Sequence, residues 1–108
     1  MEPLRIVRTA DPAGLALTGE LDAARHAMFA RALESAMAEL PPDREFHLDL
    51  GGLDFIDLGG ICMLGDAAWS RVCGAPVVLD RTPPQVRAVL ETVGWGSLPG
   101  LCFGDPAT

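Results

Sequence analysis

The side chains able to do chemistry gather around one short segment. Asp49 and Asp57 stand eight positions apart in LDLGGLDFID, and Asp57 leads directly into Leu58, Gly59, Gly60 and Ile61. Two carboxylates can share acid and base work, but glycoside chemistry also needs a substrate cleft between them, which a chain of 108 residues seldom encloses. Adjacent glycines opening a helix can expose backbone amides to a phosphate or nucleotide, yet the lysine of a P-loop is missing, since the chain has no lysine at all. The other reading of Gly59 and Gly60 is geometric, a tight strand-to-helix turn that needs positive φ or close backbone approach. Asp57 reads first as a helix N-cap whose carboxylate accepts from amides near Gly60. The turn FIDLGG offers no hydroxyl to modify.

The remaining reactive residues point away from catalysis. No serine or cysteine lies in a nucleophile signature such as G-x-S-x-G. Cys62, Cys73 and Cys102 form no C-x-x-C pair, and His26 and His47 are far from them in sequence, so no metal site and no cofactor is expected. The three thiols read as reduced and mostly buried. His26 falls on the polar part of a helix and His47 on the outward side of a strand, and each reads as a solvated surface group. No catalytic residue is assigned, and the chain reads as a binding module instead of an enzyme.

Charge and hydropathy narrow the partners. A net charge of −7, with eight scattered arginines, argues against a nucleic-acid backbone as partner. No apolar run approaches the roughly 20 residues that cross a bilayer, which argues against direct membrane insertion. The start MEPLRIVRTADP has neither a basic segment followed by an apolar one nor a small-residue cleavage site, so the cytoplasm is the expected location. Absence of lysine beside abundant Ala, Gly, Pro and Arg suggests a GC-rich bacterial genome.

The elements that must position FIDLGG follow from periodicity. LRIVRT is a first strand, DPAG a turn and LALTGEL its hairpin partner. Asp22 is expected to cap a long helix, AARHAMFARALESAMAEL, whose Phe29, Leu33, Ala36, Met37 and Leu40 form one apolar stripe. EFHLDL alternates as a half-buried strand, which implies helices mainly on one face of the sheet. GGLDFIDLGG then turns into a second helix over residues 58 to 73. APVVLD is a fourth strand, Thr82 and Pro83 open a third helix, and LCF is a short last strand. The order ββαβαβαβ predicts one α/β (α+β) domain over residues 1 to 108, with a mixed sheet of four to five strands. In such sheets function sits at the carboxyl ends of the parallel strands, where DFIDLGG lies.

Along this order the chain resembles the STAS domain family, the bacterial anti-sigma factor antagonists also found appended to sulfate transporters. LTGELD at 17 to 22 resembles the segment that ends the family's second strand, and LDLGGLDFID at 48 to 57 its third strand with both aspartates. GGICML resembles the start of the family's second helix, and PPQVRAVLETVG its third. The resemblance implies a loop carrying Asp-Ser-Ser-Gly or Asp-Ser-Ala-Gly, whose serine is phosphorylated by a partner that is both kinase and anti-sigma factor. Asp57 and Gly60 match the frame of that loop, while Leu58 and Gly59 fall where the hydroxyl would be. Neither can accept a phosphoryl group.

The expected function is therefore docking through residues 57 to 60 and the start of the second helix onto an anti-sigma factor of the histidine-kinase-like ATPase type, with binding not switched by phosphorylation there. The chain is expected as a monomer or weak dimer. Leu58 reads either as an apolar anchor at the rim of this surface or as a residue folded back into the core. On the second helix Ile61, Leu64, Ala68 and Val72 form an inward stripe, leaving Cys62, Asp66, Trp69 and Cys73 in a second row. Trp69 is a candidate interface anchor, with Asp22 and Cys62, or else covers a sheet edge or the third helix. Trp95 either faces solvent or caps the core. The alternative function is a STAS scaffold or ligand sensor, such as a transporter accessory subunit or a binder of a small molecule or nucleotide.

Overall fold

The computed structural model describes residues 2 to 104. Its elements are β1 (Arg5–Ala10), β2 (Ala13–Leu21), a 3-10 turn (Ala23–Arg25), α1 (His26–Ala38), β3 (Phe46–Ile56), α2 (Leu58–Trp69), β4 (Val77–Asp80), α3 (Pro84–Thr92), a second 3-10 turn (Trp95–Ser97) and β5 (Leu101–Phe103). One mixed sheet carries all five strands in the order β1-β2-β3-β4-β5, with β1 antiparallel to β2 and the other neighbours parallel. This is the ββαβαβαβ architecture the sequence implies. Each parallel step moves across the sheet in the same direction, so right-handed crossovers place α1, α2 and α3 on one face.

Burial follows from that geometry. Leu15, Leu48 and Leu79 are partners in register and almost inaccessible, and Phe46, Leu50 and Val77 point the same way. Phe29 and Leu33 of α1, Ile61, Leu64 and Ala68 of α2, and Val86 and Leu90 of α3 close over them. Each fully buried leucine or phenylalanine stabilises by about 1.5–3 kcal/mol, which makes this one layer of contacts the main support of the fold. The opposite face carries His47, Asp49 and Asp80.

Several local expectations change. β3 continues past the alternating EFHLDL, through Gly51-Gly52, to Ile56. The glycines are crossing points: a Cβ on Gly52 would meet Thr18 of β2 at 2.5 Å, and one on Gly51 would meet the Arg81 guanidinium at 2.6 Å. α2 ends at Trp69 instead of residue 73. There Ser70 Oγ donates to the Ala67 carbonyl, and Arg71 turns inward to donate to the carbonyls of Arg44, Ala75 and Pro41. Val72 consequently leaves the inward stripe and is exposed. Thr82 does not cap α3; it is buried with its hydroxyl unpaired, and Pro83 holds the N-cap position. The cysteines are exposed, not buried. Trp95 packs on α2, its Nε1 donating to the Ile61 carbonyl at 2.8 Å and its ring lying against Gly65.

Candidate functional site

The carboxyl ends of β2 and β3 are adjacent, joined by the Asp57 amide donating to the Leu21 carbonyl at 3.1 Å. Helices that leave neighbouring parallel strands on one face must start side by side, so the first residues of α1 and α2 meet here. Asp57 caps α2 as the sequence predicts, accepting from the Gly60 amide at 2.8 Å through Oδ1. The same Oδ1 accepts from His26 Nε2 at 2.7 Å. Burial works to raise the pKa of this carboxyl, but the donations from His26 and the Gly60 amide outweigh it and hold Asp57 below the usual carboxylate range. His26 is thus not a solvated surface group; its side chain is 31% exposed and committed to Asp57.

Gly59 and Gly60 are glycines for want of space, not for backbone conformation, since neither has positive φ. A Cβ on Gly60 would meet Ile56 Cγ1 at 2.8 Å and Leu21 Cδ2 at 2.9 Å, so this glycine lets the helix start settle on the strand ends. A Cβ on Gly59 would meet His26 Cε1 at 2.2 Å. The imidazole lies across the bare Cα of the residue where a phosphoacceptor is expected from the sequence resemblance. With the Gly60 amide taken by Asp57 and Gly59 covered by the ring, the amide cradle suggested by Gly-Gly is filled by the protein's own side chains.

Leu58 is 68% exposed and opens a row along α2 that continues through Cys62 and Asp66 to Trp69, which is 63% exposed. These positions lie at i, i+4, i+8 and i+11, one face of the helix, and span about 16 Å at 1.5 Å per residue. Phe55, two residues before Asp57, is exposed at the same end of β3. Ile61 is different: its side chain is 2% exposed and belongs to the core, which removes it from any contact surface. Asp22 does not cap α1 with its side chain. A 3-10 turn intervenes, closed by the Asp22 carbonyl accepting from the Arg25 amide, and Asp22 Oδ1 is buried without a hydrogen-bond partner.

The second aspartate is elsewhere. Asp49 lies eight residues back along the strand, roughly 26 Å from Asp57 at 3.3 Å per residue, too far for a shared acid and base role. It pairs with Arg81, which donates from Nε and Nη2 at 3.0 and 2.7 Å. That pairing holds the Asp49 carboxyl below its usual range against desolvation, with help from the Gly51 amide. His47 is also engaged, through Nδ1 to Asp80 at 2.6 Å and Nε2 to Glu45 at 3.2 Å. Among the described residues no group of three or more His, Cys, Asp or Glu could hold a metal ion, and no helix is long and apolar enough to cross a membrane. Two depressions of about 420 Å³ lie away from the 57–60 loop, one between the C-terminal parts of α1 and α2 and one on the helix-free sheet face.

Sequence reasoning missed His26 and Phe55. His26 carried a topological signal: once β2 and β3 are taken as parallel neighbours, the first turn of α1 must adjoin the first turn of α2. Phe55 carried no such signal, since its exposure depends on how far β3 extends beyond the alternating EFHLDL.

Comparison with known proteins agrees with the fold. A family model described as "Mlab, STAS domain" matches residues 4–100. A solved structure, "Structure of the Anti-Sigma Factor Antagonist SpoIIAA in its Unphosphorylated Form", superposes with a TM-score of 0.64 at 16% identity, covering 95% of this chain and 88% of that one. At that identity the likeness concerns the fold. No curated protein matches.

Proposed function

Because the chain belongs to the STAS domain family, we propose that it is a non-catalytic, anti-sigma factor antagonist-like module that docks on an anti-sigma factor of the histidine-kinase-like ATPase type. The docking surface is the loop Asp57–Gly60 together with the exposed row Leu58, Cys62 and Trp69 on α2. One observation carries the reading: a row of exposed apolar side chains, including a tryptophan, runs straight out of a loop whose conformation is fixed by Asp57 and His26. Exposed aromatic and aliphatic side chains next to a rigid turn are the usual anchors of a protein interface. With Leu58 and Gly59 in place of a hydroxyl, the loop has no residue to phosphorylate, and docking is permanently available.

The test is titration of the purified chain with serine-kinase-type anti-sigma proteins from its own genome, with ADP or ATP present. Saturable binding without phosphate transfer to residues near the turn supports the reading; absence of binding to every such ATPase refutes it. Binding instead to a membrane-transporter ATPase would favour the role of transporter accessory subunit. A Gly59→Ser variant alone is not a fair phosphoacceptor, because the new side chain meets His26; the double change His26→Ala with Gly59→Ser restores room for it.

A further inference from the structure

His26 packs on Gly59 where α1 and α2 begin, but between their C-terminal halves a groove opens. It consists of two depressions of about 280 and 420 Å³ that share Glu34, Met37 and Ser70 as lining. α1 presents Ala30, Leu33, Glu34 and Met37 to it, the spacing i, i+3, i+4 and i+7 of one helix face. α2 and its C-cap present Met63, Asp66, Ala67 and Ser70 at the same spacing. Two parallel helices that turn matching stripes toward one gap leave a seat for a third helix, about 15 Å long from residue 30 to residue 40 at 1.5 Å per residue. The floor is apolar, with Leu33 and Ala67 buried. Met37 and Met63 are half-buried, and their unbranched side chains reshape readily around an incoming apolar group.

Charge decides between occupants. Glu34 on one rim and Asp66 on the other are exposed, and neither belongs to a salt bridge among the described residues. The one cation among the described lining residues is Arg71, which is buried and donates to the carbonyls of Arg44, Ala75 and Pro41. An anionic amphiphile, a nucleotide or a second copy of this chain, at a net charge of −7, would each bring like charge to the rims. A helix with apolar side chains on one face and lysine or arginine beside them suits both floor and rims. We propose that the groove between α1 and α2 is a docking site for a basic amphipathic helix of a partner protein. It lies on the flank of α2 next to the row Leu58, Cys62 and Trp69, and it stands whether or not the 57–60 loop docks on an ATPase.

The probe is a synthetic helical peptide of about 14 residues, leucines on one face and lysines elsewhere, with a control in which glutamate replaces every lysine. Methyl NMR of the full chain reads the site, since Met37 and Met63 line the groove while Met28, exposed on another face of α1, is the internal control. Saturable shifts of the Met37 and Met63 methyls with the lysine peptide, an unmoved Met28 and no shifts with the glutamate peptide are the result expected. Glu34→Lys, a change at an exposed position, should weaken the lysine peptide about fivefold, as one rim attraction becomes a repulsion. Glu34→Lys combined with Asp66→Lys should invert the preference, so that the glutamate peptide binds the better. Leu58→Glu should leave peptide binding unchanged. Equal binding of the two peptides, shifts centred on Met28, or an unaltered preference in the double variant overturns the proposal. Sedimentation of the chain with phosphatidylcholine vesicles, without any shift by the lysine peptide, would assign the groove to a lipid surface and overturn it as well. Peptide binding in the groove with no capture of any ATPase refutes the function proposed above and leaves this site standing; ATPase capture without peptide binding does the reverse.

Discussion

A methyl group added at residue 59 should destabilise this protein even though alanine is the better helix former. Gly59 sits in the first turn of α2 without positive φ, so Gly59→Ala taken alone would stabilise by up to about 1 kcal/mol. Against that, the new Cβ would stand 2.2 Å from His26 Cε1, far inside the 3.4 Å at which ordinary contact begins. The imidazole must swing off and surrender its bond to Asp57, a loss of about 1–2 kcal/mol for a partly exposed bond to a charged partner. Displacement of the ring from its preferred rotamer adds about 0.5–1.5 kcal/mol. The net effect is a destabilisation of about 0.5–2.5 kcal/mol, a fall in Tm of roughly 2–20 °C for a domain near 100 residues. In a His26→Ala background both obstacles are gone, and the same Gly59→Ala change should stabilise. A four-member double-mutant cycle followed by urea unfolding reads the reversal directly, with a coupling of about 1.5–3.5 kcal/mol. Additive effects within about 0.5 kcal/mol would refute the claim that the ring and the glycine share one volume.

Other outcomes follow from the same contacts. Leu58→Glu should leave stability within about 0.5 kcal/mol, because the side chain is exposed, yet abolish partner capture, as measured by calorimetry. Asp57→Asn keeps a capping oxygen but removes the charge. Since the folded pKa of Asp57 is lowered, its contribution is present above the ordinary carboxylate pKa and lost as pH falls through the folded value, so the variant should flatten the acid limb of the stability profile. Asp49→Asn should do the same through the loss of Arg81 as partner, and a urea titration between pH 2 and 6 checks both. Arg71→Met preserves volume but strips a donor from the carbonyls of Arg44, Ala75 and Pro41, which should cost about 2–4 kcal/mol and lower Tm by 10 °C or more in calorimetric scans.

Periodicity carried the architecture because the signals were local. Phe46, Leu48 and Leu50 alternate, Phe29 and Leu33 recur at helical spacing, and prolines end or open helices, so strand and helix order was legible before any tertiary contact was known. The errors arose where distant residues decide. Alternation marked β3 only as far as Leu50, because nothing nearby shows that Thr18 and Arg81 lie across Gly51-Gly52. Thr82 read as a cap because its neighbours cannot reveal that it is buried. At the site, Asp57 was legible as an N-cap, a bond spanning three residues, while its bond to His26 spans 31 and required the β2 and β3 pairing. The exposure of Leu58 and Trp69 likewise depended on how far α2 rotates over the sheet, which its mixed apolar pattern left open.

The central claim, constitutive docking through the 57–60 loop and the exposed face of α2, is tested most directly by isothermal titration of this protein into a purified histidine-kinase-like anti-sigma ATPase from the same genome, before and after prolonged incubation of both with MgATP. Equal affinity before and after, with loss of binding in Leu58→Glu, is the result expected. Absence of binding, binding indifferent to Leu58→Glu, or binding abolished by MgATP through phosphorylation of this chain would contradict it.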